Sequence, residues 1–254
     1  MSESELHLAK APIVEAVVDI DCDMPPAFDL TALEGKACEK YRSEYPKFRA
    51  QFLEQHSFES KSHEPAKHSA RRTIQAFQFQ HDDEKQLVQI RAQGFSFNRL
   101  APYTSLDGYL SEIQRAWKLF VEIAMPVQFR TVRLRYINRI LLPMTGGRIA
   151  LDKYIQVCPR LPDEDTMEFA SFLNQHVAVE IGTGYQVNSV LTAQRSQSEK
   201  LPIIFDNCVV AAEPGDPQDW DSILSKIQSL RDLKNRIFRN TLTDTCMNLF
   251  QDQD

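Results

Sequence analysis

The chain of 254 residues is 43% hydrophobic and 25% charged, enough apolar material for one large core or two small ones. Its net charge of −6 disfavours broad attraction to nucleic-acid phosphates, and no run reaches the ~18 apolar residues of a membrane span. Five scattered cysteines with no C-x-x-C spacing, and an N-terminus without the basic and apolar regions of a signal peptide, lead us to expect a reduced, cytoplasmic protein.

Residues 12–22, PIVEAVVDIDC, alternate strictly, with Val14, Ala16, Val18 and Ile20 on one face and Glu15, Val17, Asp19 and Asp21 on the other. That period of two predicts a half-buried strand. A helix over about 29–44 follows, striped by Leu30, Leu33, Ala37 and Tyr41 and ended by Pro46. Strands are predicted over 47–58, 72–81, 85–93 and 94–100, with a polar loop over 59–70. Thr104 and Asp107 form a capping-box pattern opening a helix with the stripe Leu106, Leu110, Ile113, Trp117, Val121 and Ala124, closed by Pro126.

The order then begins again. A strand over 127–143 leads through a glycine turn to a short helix over 151–158, then to strands over 168–181, 184–194 and 201–213. Asp216, Pro217 and Asp219 announce a further helix with the stripe Ile223, Ile227, Leu230, Leu233 and Ile237, and Thr241 and Asp244 cap a short last one. Segments 1–126 and 127–254 thus share the order β-α-β-β-β-α. The expected fold is α+β: tandem halves forming one curved, saddle-like antiparallel sheet with helices on one face.

The most unusual stretch is RTVRLRYINRI at 130–140. In a strand it sets Arg133, Arg135 and Arg139 on one face and Val132, Leu134, Tyr136, Asn138 and Ile140 on the other. If the leading strands of the two halves lie side by side, Glu15 and Asp19 meet these arginines. The five charged residues then form either a structural ladder or a site for an anion or acidic partner, since guanidinium forks suit carboxylate and phosphate. Tyr136 and Asn138 on the core side need hydrogen-bond partners, which the helix carrying Lys234, Asn235 and Arg236 could supply.

Three stretches, KAPIVEAVVDI (10–20), RLRYINRI (133–140) and LRDLKNRIFRNTLTD (230–244), together resemble a family of uncharacterised prokaryotic proteins of similar length, scattered sporadically among bacteria and archaea. The resemblance implies one full-length unit and brings no catalytic residue; the scattered distribution suggests an accessory or defence gene.

Other constellations point to no chemistry. Gly146-Gly147 and Gly182-Thr183-Gly184 lack the remainder of a phosphate loop and read as turns. His56, His63 and His68 have no cysteine or carboxylate in register, so no metal is expected. Cys208 reads as a buried thiol in preference to a nucleophile served by His176. Asp82-Asp83-Glu84 and Asp163-Glu164-Asp165 read as solvated loop charges. The expectation is a binding or interaction protein without cofactor, taking a small anionic ligand or a protein partner on the polar sheet face. The alternatives are an enzyme of unrecognised type at that face, or a component touching nucleic acid. Self-association is left open.

Overall fold

The computed structural model describes residues 8–59, 67–146, 148–157, 167, 170–194 and 199–251. The strands are β1 (Ile13–Asp23), β2 (Lys47–Glu59), β3 (Lys67–Gln80), β4 (Gln86–Arg91), β5 (Gly94–Leu100), β6 (Gln128–Pro143), β7 (Leu173–Val179), β8 (Gln186–Ala193) and β9 (Lys200–Ala211). The helices are α1 (Glu34–Tyr41), α2 (Asp107–Ala124), α3 (Trp220–Thr241) and α4 (Asp244–Met247). The described strands join in one antiparallel sheet in the order β2-β3-β4-β5-β1-β6-β9-β8-β7. The fold is therefore α+β, and no helix among the described residues is long and apolar enough to cross a membrane.

The leading strands β1 and β6 are direct neighbours at the centre, with Asp19 opposite Arg133 and Val17 opposite Arg135. Alternation decides what each face does. From β1, Ala16, Val18, Ile20 and Cys22 are buried, and from β6, Val132, Leu134, Tyr136, Asn138 and Ile140. Apolar members of these two sets pack with the stripes of α1, α2 and α3. Trp117 of α2 meets Phe95 of β5 edge-on at 5.7 Å and donates its indole N–H to the Pro217 carbonyl at 3.0 Å, tying α2 to the approach of α3. A second cluster surrounds Ile140, Phe205, Phe238, Leu242 and Phe250, with Phe205 and Phe238 stacked at 5.7 Å. Each such aromatic burial contributes about 1.5–3 kcal/mol before entropy.

Several boundaries differ from the sequence expectation. β3 begins at Lys67, so the loop expected over 59–70 is partly strand; residues 60–66, including His63, lie outside the described residues. Strand propensity there is weak, but a long partner, β2, pairs the backbone along its whole length. At the start of α2 the cap comes from Ser105, whose hydroxyl accepts from the Gly108 N–H at 3.3 Å, while the Thr104 hydroxyl meets that of Tyr109 at 3.0 Å. α3 starts later than expected: Asp216 accepts from the Gln218 N–H at 2.8 Å in a turn, and Asp219 is the true cap, accepting from Ser222 at 3.0 Å. For α4 the cap is Thr243, not Thr241, accepting from Cys246 at 3.2 Å. The helix expected over 151–158 is a single 3-10 turn, Leu151–Lys153; Cys158 lies outside the described residues, as does the acidic run Asp163-Glu164-Asp165.

Candidate functional site

On the helix-free face the opening strands carry a matched charge network. Arg133 reaches Asp19 at 3.5 Å and Asp21 at 3.3 Å, and Arg91 of β4 closes on Asp21 at 2.8 Å and Asp19 at 3.7 Å. Ser96 donates its hydroxyl to Asp19 at 2.5 Å, and Thr131 donates to Asp21 at 3.2 Å. Burial works to raise Asp21, but Arg91 and Arg133 outweigh it and hold its carboxyl below the usual carboxylate range.

Arg135 faces apolar Val17 across β1 and turns instead to β9, where Asp206 accepts from its Nε at 2.8 Å and its Nη2 at 2.5 Å. That two-pronged hydrogen bond pushes the guanidinium still higher.

Glu15 has no arginine directly opposite it and acts on Arg135 only through space, as the least of the influences that raise that guanidinium. Ile137 stands opposite Glu15, whose carboxylate accepts from Asn98 at 2.6 Å. From there an amide relay crosses the sheet: Gln89 donates to Asn98 at 2.9 Å, and Gln78 donates to Gln89 at 3.0 Å. Arg139 stands opposite Ile204 of β9. The column of arginines is thus largely answered by the sheet's own carboxylates.

The core-side polar residues lead elsewhere. Tyr136 and Asn138, with Asn235, line a cavity of about 70 Å³ between β6, α3 and the segment leading into α2. Tyr136 shares a hydroxyl–hydroxyl hydrogen bond of 2.7 Å with Tyr103, and Asn138 donates to the Phe205 carbonyl at 3.0 Å, joining β6 to β9 and not to α3. Burial pushes the Tyr136 hydroxyl up to about 12, so it remains a donor at any physiological pH. The tie from sheet to helix is made by Asn207, whose amide donates to the Lys234 carbonyl at 3.2 Å.

Lys234 is the residue that sequence reasoning passed over as a functional group. Its side chain is buried, its Nζ lies 3.9 Å from the centroid of the Tyr136 ring, and among the described residues it makes no hydrogen bond or ion pair. Burial first, then the charge of Arg231, lowers it to about 7. Arg231 lines the same cavity and is held by Asp107 of α2 at 2.8 Å to each carboxylate oxygen. A signal existed in the sequence: Lys234 falls four residues after Leu230 and seven after Ile227, inside the apolar stripe of α3.

All three distinctive stretches converge here. Ala11 and Ile13 of the first, Tyr136 and Asn138 of the second, and Arg231, Lys234, Asn235 and Phe238 of the third all line the cavity.

Cys208 and His176 do not come together. Cys208 pairs with Arg135 on the open face, whereas His176 pairs with Ser189 and, through it, aligns with Asn207 on the helix side. Burial pushes the Cys208 thiol up to about 11, which leaves it a poor nucleophile. Among the described residues no cluster of histidine, cysteine and carboxylate groups is arranged to hold a metal ion.

Comparison with protein-family models, curated proteins and solved structures finds no match to this chain.

Proposed function

We propose that the chain is a binding protein for a small anionic ligand, seated in the cavity between β6 and α3. One observation carries this reading: among the described residues the lining holds two basic side chains, Arg231 and Lys234, hydroxyls and amides, but no carboxylate. A negative ligand would supply the countercharge that Lys234 lacks and gain charge-assisted hydrogen bonds in a poorly solvated space. The open-face arginines are a weaker anion site because Asp19, Asp21 and Asp206 already answer Arg133 and Arg135. The same acids repel nucleic acid.

The duplicated, saddle-like architecture belongs to this reading, with segments 1–126 and 127–254 as its halves. The strand order supports it, since β5, β4 and β3 follow outward from β1 as β9, β8 and β7 do from β6. The resemblance to a sporadically distributed prokaryotic family would make the protein a cytoplasmic accessory or defence component.

Calorimetric titration with acetate, lactate and inorganic phosphate tests the site. Saturable binding lost in Lys234→Met and kept in Arg135→Gln is expected; the opposite pattern would move the site to the open face. A second reading, a protein partner on the open face, is favoured by Leu173, Val177 and Val179 of edge strand β7, which are 70%, 75% and 61% exposed. Loss of self-association or partner capture in Val177→Glu would support it.

A further inference from the structure

Resting on the anion-binding reading of the same cavity, we propose that Lys234 captures a carbonyl: the ligand is a small oxo acid held as an imine on Nζ, with its carboxylate toward Arg231. The geometry separates the two basic groups by role. Arg231 is a permanent cation whose guanidinium is fixed against Asp107, while Lys234 has no carboxylate within hydrogen-bond or ion-pair distance among the described residues. The two positions lie three residues apart on α3, on the same side of the helix, and both face the cavity.

The groups around Nζ come from three elements: Tyr136 on β6, Tyr103 before α2, and Arg231 on α3, with Asp107 of α2 behind Arg231. Among the described residues none of these is an anion that would lock the amine in its charged form, apart from Asp107, which is already paired with Arg231. Burial and Arg231 bring Lys234 near 7, so a large fraction is free amine at neutral pH, unlike a solvated lysine. The protonated fraction can pair with a carboxylate, and the free-amine fraction is a strong nucleophile for a carbonyl.

In the step, the Nζ lone pair forms a bond to the carbonyl carbon while the C=O π pair moves onto oxygen. Of the hydroxyl pair Tyr103 and Tyr136, both kept protonated by burial, one donates to the other and the second keeps a proton to donate to that oxygen. The carbinolamine then loses this oxygen as water, which carries away both amine protons and leaves a neutral imine. No oxidant or reductant is consumed. The cavity volume of about 70 Å³ is enough for a short oxo acid.

The test is reductive trapping of the full chain with pyruvate and cyanoborohydride at pH 7.5, read by intact and peptide mass spectrometry. One reduced adduct per chain on the Lys234 peptide is expected, with excess lactate slowing its formation. Arg231→Gln should slow trapping roughly tenfold or more through loss of a charged hydrogen bond. Lys234→Arg should abolish the adduct, and Lys234→Met, a closer apolar match in shape, covers the case where a guanidinium does not fit. Adducts scattered over surface lysines and undiminished in both Lys234 variants would overturn the proposal. Binding of pyruvate and lactate alike with no adduct would overturn the imine and leave the anion site standing; binding of neither would remove both.

Discussion

Asp21 and Lys234 both make stability rise with pH, in separate windows, Asp21 as a stabilising pair and Lys234 as a buried cost. The folded pKa of Asp21 lies below its unfolded value, so its contribution is complete above the unfolded value near 4 and is lost as pH falls through the folded one. Asp21→Asn should lower stability at pH 7 by about 1–3 kcal/mol, because Arg91 and Arg133 lose a shared partner, and should flatten the acid limb of the melting curve.

Lys234 acts in the same direction at higher pH. Between about 7 and the ordinary lysine value of 10.5 the unfolded chain binds a proton that the folded chain does not, so stability rises with pH across that window. Lys234→Met should therefore raise stability at pH 7 by roughly 3–5 kcal/mol, a gain that narrows toward pH 10 in urea titrations. For Arg135→Ala a loss near 1 kcal/mol is expected, since the guanidinium is partly solvated but Asp206 is left facing the sheet alone.

At the scale of elements, legibility followed periodicity. The strand faces of β1 and β6 were readable because a period of two leaves few alternatives once one face carries Ala16, Val18 and Ile20 and the other Asp19 and Asp21. Helix stripes were equally readable, as in Ile223, Ile227, Leu230 and Leu233, all buried. Caps were not, because Thr104, Ser105 and Asp107, or Thr241, Thr243 and Asp244, offer several oxygens within one turn and only backbone geometry selects among them.

The cavity was half legible. Tyr136 and Asn138 stood out as polar groups on a core face, but a lysine on a helix reads as solvated unless its place in the stripe is counted. Gly94 is a further element-level determinant: its φ is +146°, and a Cβ there would overlap the Ile20 carbonyl oxygen of β1. Gly94→Ala should cost about 1–3 kcal/mol or more and loosen the β1–β5 pairing, measurable as faster amide exchange at Ile20 and Cys22.

For the whole molecule, the strand order places the two leading strands at the centre and leaves β2 and β7 at the edges. Hydrogen exchange should accordingly be slowest along β1, β5, β6 and β9 and fastest in β7, whose outer backbone groups have no neighbouring strand among the described residues. The centre is also where sheet and helices close around the cavity. α3 spans both hydrophobic clusters, packing Ile223 through Leu233 in one and Phe238 in the other, with Lys234 at the passage between them. The buried amine of Lys234 at that junction is a local cost, and a bound anion would offset it.

The most direct measurement is calorimetry of wild type and Lys234→Met with pyruvate in buffers of different ionisation enthalpy. The wild type should bind saturably at one site per chain with a proton change that depends on pH around 7, and the variant should show no heat of binding. Equal binding by both proteins, with no proton change, would contradict a ligand site built on Lys234.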